Sequence, residues 1–317
     1  MTWEMIPENL KKLLIKQKYY PVGKHSAVKL CHWLKEALKN GRFCYKQKFY
    51  GIKTHRCLQM SPAVVWCDLR CLHCWRPSES MLDPSSYRTE DLDDPETIVL
   101  GSIEAQRKAI GSYKGLVEEG RIDKKLFEEA MNPNQVAISL IGEPTLYPYL
   151  DELVHEYKKR SFSTFVVTNG CHPEYLEHME HYPTNLYISI LSTNQEQFRQ
   201  IQNPYDDPGK VWQRFLRSIE LMSELRETSV NTVFRITLIK GINDNDLDGL
   251  KRLIELGQPK FVEVKAYMPV GLSQNRLGRD YAPSHQEVKD FALKLSEVVS
   301  YDYKDEVEAS RVVLLVG

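Results

Sequence analysis

The sequence predicts an α/β fold of six βα units, either a partial, open-sided (βα)6 barrel or a doubly wound sheet, behind a helical N-terminal segment that bears cysteines. Three observations predict it. Short apolar runs of strand character alternate with helical patterns from residue 63 to residue 299, which implies a parallel sheet with helices outside it. Six such units are too few to close an eight-unit barrel. Six of the seven cysteines fall between Cys31 and Cys74, before the alternation or at its start.

The elements follow in order. Residues 7–20 and 25–39 read as helices, because Leu10, Leu13 and Leu14, and then Leu30, Leu34 and Leu38, recur at helical spacing. Residues 63–66 read as the first short buried strand, running straight into a cysteine-rich loop. Residues 79–96 carry Asp83, Glu90, Asp91, Asp93, Asp94 and Glu96 and read as an exposed acidic loop. A long helix is expected over about 95–119. Strands at 136–140, 163–168, 186–191, 233–239 and 261–266 then alternate with helices at 149–159, 173–179, 210–225, 247–256 and 286–299. Residues 311–316 read as one further strand. The expected organisation is a basic extension over 1–56, a core over 57–300 and a C-terminal strand or tail over 301–317.

The chain has 317 residues, 42% of them apolar, enough for a sizeable core. The apolar runs are far shorter than the ~20 residues of a membrane span. Residues 1–20 lack the apolar stretch and cleavage site of a signal peptide. A cytoplasmic protein with reduced cysteines is expected. The formal net charge of −1 hides an asymmetry. Residues 1–56 hold 13 Lys/Arg against 3 Asp/Glu, while the remainder holds 29 against 40. Tyr19, Tyr20, Trp33, Phe43, Tyr45, Phe49 and Tyr50 interleave the basic residues. That mixture suits a phosphate backbone with unstacked bases, or a solvated basic helix face.

The cysteines carry the strongest chemical signal. Cys67, Cys71 and Cys74 form C-x3-C-x2-C, and three thiolates on one loop can hold three irons of a [4Fe–4S] cluster while leaving the fourth open. A structural zinc needs four protein ligands and would have to recruit a fourth such as His73. Cys31, Cys44 and Cys57 are separated by twelve residues each. Alone they read as buried thiols or as a zinc site with His32 or His55. Cys171 belongs to neither set and reads as a packed thiol at a strand end.

The C-x3-C-x2-C loop, together with Gly142-Glu143-Pro144-Thr145 at the end of the second predicted strand, resembles the radical S-adenosylmethionine (radical SAM) superfamily. The resemblance selects the partial (βα)6 radical SAM barrel. It implies that Gly142 and Glu143 lie against the amino group of S-adenosylmethionine, although Ile141 replaces the usual first glycine. It also implies that Asn169, in Val167-Thr168-Asn169-Gly170, and Ser189 contact the methionyl carboxylate or the ribose. Asn-Gly is also a common turn dipeptide.

Upstream cysteines at this spacing narrow the resemblance, with Ser61-Pro62-Ala63-Val64-Val65-Trp66-Cys67 and the Gly-Glu-Pro-Thr-Leu-Tyr-Pro run at 142–148. Together they are similar to the 4-demethylwyosine synthase family of tRNA-modifying radical SAM enzymes. That resemblance implies two [4Fe–4S] clusters, the second on Cys31, Cys44 and Cys57. It implies a lyase-type condensation of N1-methylguanosine-37 of tRNA-Phe with pyruvate. The open iron of that second cluster could chelate the carboxylate and carbonyl of pyruvate; instead, or additionally, Lys46 matches the family position that forms an imine with the ketone, and Lys48 is the neighbouring alternative. At this length the chain is expected to be the stand-alone archaeal form, monomeric, with an external flavodoxin or ferredoxin-like electron donor. The loop at 271–281, with Arg276, Arg279 and Tyr281, is expected to face the anticodon loop. Rival readings are a glycyl-radical-activating enzyme, a methylthio-transferase and a non-enzymatic metal-containing RNA-binding module.

Overall fold

The computed structural model describes residues 3–82 and 86–317. Asp83, in the acidic stretch, lies outside the described residues. The chain divides into two compact units: Met1–Trp66, Leu82–Val166 and Glu180–Pro183; and Cys67–Met81, Val167–Met179 and Thr184–Gly317.

The first unit opens with α1 (Glu8–Lys16) and an antiparallel hairpin of β1 (Tyr20–Val22) and β2 (Ser26–Val28). Then come α2 (His32–Asn40), α3 (Tyr45–Tyr50) and β3 (Cys57–Ser61). α4 (Pro95–Gly111), α5 (Lys114–Glu118) and α6 (Lys124–Ala130) precede β4 (Gln135–Ile138), α7 (Leu150–Lys159) and β5 (Ser163–Thr168). β3, β4 and β5 pair in parallel, with Cys57 opposite Gln135 and Gln135 opposite Ser163. β2 adds to β3 antiparallel, Ala27 opposite Ser61.

Three expectations change here. The first parallel strand is 57–61, not 63–66. Pro62 has no N–H to give a ladder and ends the strand. Ala63, Val64 and Val65 are instead fully buried in a turn. The extension is helical at α1–α3 but also contributes the β1–β2 hairpin. The expected helix over 95–119 breaks after Gly111 and Ser112, both weak helix formers, into α4 and α5.

The second unit holds the loop 67–81, α8 (Pro173–Glu177), β6 (Asn185–Ile190), α9 (Gln195–Ile201) and α10 (Pro208–Glu224). It continues with β7 (Asn231–Leu238), α11 (Leu247–Gly257), β8 (Phe261–Ala266) and α12 (His285–Val299). β9 (Asp302–Val307) and β10 (Val312–Val316) close the chain. β6, β7 and β8 are parallel, so three parallel strands stand in each unit and the six predicted βα units are present. β10 pairs antiparallel with both β8 and β9. The helix starts are chemically marked. Asp207 caps α10 ahead of Pro208, and Ser284 with Glu287 forms a reciprocal capping box on α12. Among the described residues no helix is long and apolar enough to cross a membrane.

Candidate iron–sulfur and S-adenosylmethionine sites

In the first unit, Cys31 is the N-cap of α2, Cys44 the N-cap of α3, and Cys57 the first residue of β3. Leu30, Leu34 and Leu38 bury the inner face of α2 against Ile110, Ile122 and Ala130, and Cys31 packs on that cluster. The Cys44 N–H donates to Thr54 Oγ1 at 3.3 Å, and Gln106 Nε2 donates to the Cys57 carbonyl at 3.1 Å. Burial first, then the neighbouring Cys31 thiol, push the Cys57 thiol up to about 12, with Cys44 adding and the Lys46 ammonium opposing. Cys31, Cys44 and Lys46 thus all stand near Cys57. Lys46 Nζ lies 4.1 Å from the ring centroid of Phe165 on β5. Lys46 is half-buried and Lys48, on the same short helix, is exposed. His55 is not directed to the thiols: its Nε2 meets Glu129 at 2.6 Å and its ring packs on Phe43.

Also in this unit, Gly142 turns the chain after β4 with φ +71°, and a Cβ there would stand 1.8 Å from the Ala63 carbonyl. Only glycine fits such an approach. The next N–H, of Glu143, donates to the Trp66 carbonyl at 2.8 Å, immediately before Cys67 in the chain. The buried Glu143 carboxylate accepts from the Thr145 N–H at 3.1 Å and the Thr145 hydroxyl at 2.8 Å.

In the second unit, the Cys67–Cys74 loop is held by backbone on one side. Arg70 N–H donates to the Gln202 and Asn203 carbonyls at 3.0 and 3.1 Å, Leu72 N–H to Ile201 at 2.9 Å, and Tyr205 N–H to Asp68 at 3.1 Å. Burial first, then the charges of Cys74 and Asp68, raise the Cys71 thiol well above its ordinary range, and burial raises Cys74. Burial, helped by the Arg276 charge, takes His73 down to about 4. Asn169 Nδ2 donates to Asp68 Oδ1 at 2.8 Å, and its Oδ1 accepts from the Cys171 N–H at 2.9 Å. His172 Nε2 stands 3.2 Å from Asp68 Oδ2. Burial lifts the Asp68 carboxyl, but His172 and Asn169 together bring it below the usual carboxylate range. Cys171 is fully buried, as expected. Ser189 on β6 stands in one row with Arg235 on β7 and Glu263 on β8.

Two contributors were missed from sequence, and a third, Arg276, was named but placed elsewhere. Asp68 with His172 orients Asn169. Arg235 and Tyr187 hold the fully buried Glu263 at 3.0 Å each. Arg276 faces the cysteine loop rather than outward as expected. A signal was present for the second, since Arg235 stands between Phe234 and Ile236 and Glu263 between Val262 and Val264.

The residues fit iron–sulfur groups and S-adenosylmethionine. Two separate sets of three thiols are present, and neither forms a disulfide. As the side chains stand, no three metal-binding groups among the described residues close on one point. Ligation therefore requires the thiols to turn and to lose their protons, as metal binding does. His73 Nδ1 is buried beside the Cys67–Cys74 set with no hydrogen-bond partner, a polar group that a ligand would satisfy.

Comparisons with known proteins agree. The radical SAM superfamily model matches residues 62–254, and a model described as wyosine base formation matches residues 256–316. The S-adenosyl-L-methionine-dependent tRNA 4-demethylwyosine synthase of Pyrococcus abyssi is 49% identical over 98% of this chain and 89% of its own length. A solved structure of TYW1 with a lysine-pyruvate adduct bound is 38% identical, with a TM-score of 0.87 over 98% of this chain and 96% of that one. A crystal structure of archaeal TYW1 is 36% identical with a TM-score of 0.79, over the same shares. The fold class is therefore the partial (βα)6 radical SAM barrel that the sequence predicts. The chain belongs to the tRNA 4-demethylwyosine synthase family of radical SAM enzymes, which form the wyosine base in tRNA.

Proposed function

We propose that this enzyme condenses N1-methylguanosine-37 of tRNA-Phe with pyruvate, and that Lys46 holds the pyruvate as an imine beside a second [4Fe–4S] site on Cys31, Cys44 and Cys57. The observation that carries this reading is that Lys46, two residues after the N-cap Cys44, stands near enough to Cys57 for its charge to act on that thiol, as the Cys31 and Cys44 thiols also do. A relative whose structure contains a lysine-pyruvate adduct supports it.

When bound, the cluster on Cys67, Cys71 and Cys74 supplies the electron that cleaves S-adenosylmethionine. The chain's own residues position the reactants. The Lys46 amine attacks the ketone carbon of pyruvate and water leaves, fixing the three-carbon unit. Phe165 beneath Lys46 limits where its ammonium or imine can swing. In the first unit Glu143, its carboxylate already oriented by Thr145, would take the amino group, and in the second unit Asn169, held by Asp68 and the Cys171 N–H, would take the methionyl carboxylate or the ribose. Ser189 supplies a hydroxyl to the methionyl or ribose end. In this reading residues 1–56 carry Cys31 and Cys44 of the second cluster's ligands and basic charge toward RNA, 57–300 supply Cys57 and form the catalytic core, and 301–317 complete the sheet edge. The enzyme works as a cytoplasmic monomer with an external flavodoxin or ferredoxin-like donor.

The test is anaerobic incubation of reconstituted enzyme with isotopically labelled pyruvate and borohydride, followed by peptide mapping. Label on the peptide holding Lys46 is expected. In parallel, Lys46→Met should form 5′-deoxyadenosine from S-adenosylmethionine without a tricyclic base on tRNA. Label on another lysine, or full product from Lys46→Met, refutes the role of Lys46. A glycyl-radical-activating enzyme would leave the tRNA untouched in the wild type.

A further inference from the structure

Arg276 follows the short turn Gly271–Asn275 and lies against a loop 202 residues earlier in the chain. Its Nε donates to the Leu72 carbonyl at 3.2 Å, and its Nη2 to the Cys74 carbonyl and, at 3.5 Å, to that of Arg76. Its Nη1 pairs with Glu79. One planar fork thus serves acceptors on three loop residues and a carboxylate, which a lysine cannot reproduce. The same segment meets the loop at a second point. Leu272 N–H donates to the Trp75 carbonyl at 3.2 Å, and Gly271, with φ +58°, sits where a Cβ would come within 2.5 Å of that carbonyl. On the cysteine-bearing segment the guanidinium grips carbonyl oxygens and not sulfur. The Arg276 side chain is only 15% exposed, where its charge is weakly screened.

We propose that Arg276 is a positioning residue for the Cys67–Cys71–Cys74 cluster: it clamps the segment bearing Cys71 and Cys74 in ligating register, and its fixed charge raises the reduction potential of the group held there. The inference rests on the radical SAM reading of this loop. It ties the segment matched by the wyosine-forming model to the redox centre.

The test uses Arg276→Gln, Arg276→Lys and Glu79→Gln in two experiments. In metal-free full-length protein, iodoacetamide alkylation of each cysteine is followed by mass spectrometry. Cys71 and Cys74 should react about tenfold faster in Arg276→Gln, as loss of a charge-assisted hydrogen bond that opposes loop opening implies. Cys31 should be unchanged. This arm does not depend on the cluster assignment, which iron and sulfide analysis of the reconstituted wild type tests separately. In reconstituted enzyme, a redox titration read by electron paramagnetic resonance gives the midpoint potential. It should fall in Arg276→Gln, stay near wild type in Arg276→Lys and rise in Glu79→Gln, where the counter-charge is gone. Unchanged alkylation in Arg276→Gln overturns the clamp. An unchanged potential there, or the same direction of shift in Glu79→Gln, overturns the electrostatic role. Should Arg276→Gln not fold, the opposite-sign shift in Glu79→Gln decides the electrostatic half and Arg276→Lys alkylation decides the clamp.

Discussion

Replacing Gly142 with alanine should cost the folded state about 2–5 kcal/mol. The left-handed backbone, φ +71°, is the first contribution, about 1–2 kcal/mol for a residue with a Cβ. The second is steric. The new methyl would stand 1.8 Å from the Ala63 carbonyl oxygen and 2.7 Å from that of Trp66, both backbone atoms of a buried turn that cannot rotate away. Forcing such an overlap apart costs about 1–3 kcal/mol. The displaced turn would also lose the Glu143 N–H bond to the Trp66 carbonyl. At ~2 °C per kcal/mol for a chain of this size, the melting temperature of the metal-free protein should fall by about 4–10 °C. S-adenosylmethionine binding, measured by calorimetry on the reconstituted enzyme, should weaken as well, because Glu143 moves with the turn. A melting temperature within ~1 °C of wild type would refute the reasoning, since the turn would then tolerate a side chain that the geometry excludes.

Arg235→Met would leave the Glu263 carboxylate buried with Tyr187 but without its counter-charge. A loss of about 3–5 kcal/mol is expected in chemical denaturation, with most of it recovered in Arg235→Met/Glu263→Met. A loss under ~1 kcal/mol would sink the idea that this pair is buried as an ion pair. Burial holds the His25 pKa below 6.5, with the ring donating to the Pro62 carbonyl and accepting from the Asp93 N–H. The unfolded chain therefore takes up a proton that the folded chain refuses. Stability should be flat above about pH 6.5 and fall below it, by up to about 1.4 kcal/mol per pH unit from this residue. His25→Asn should flatten that slope; a wild type equally stable at pH 5.5 and 7.5 would contradict it. Cys31→Ala should lower reconstituted iron from about eight to about four per chain, the content of one [4Fe–4S] cluster. An unchanged iron count would remove the second cluster.

The alternation of apolar strands with amphipathic helices was legible because it is a local property. The strands at 163–168 and 261–266 coincide with their predicted bounds. β3 was not legible, because Cys-Leu-Gln-Met-Ser is only half apolar while the neighbouring Ala-Val-Val-Trp looks more strand-like and is buried as a turn. The β1–β2 hairpin, three residues a side and broken by Pro21, left no period to detect. The thiols could be named from spacing. The partners that aim them could not, since Arg276 reaches Cys74 across 202 residues and His172 reaches Asp68 from another part of the chain.

The outer strands have a consequence for handling the protein at high concentration. β1 carries Pro21, which offers no N–H to an incoming strand, and β9 carries Asp302, Lys304, Asp305 and Glu306. Both devices discourage edge-to-edge stacking of copies into aggregates. Trimming the first thirty residues would leave Cys31, Cys44, Cys57 and Lys46 in the chain and still have a cost. It would strip β2 from β3 and bare a strand edge with unpaired backbone N–H and C=O groups, so a truncated enzyme should precipitate before its catalysis could be judged.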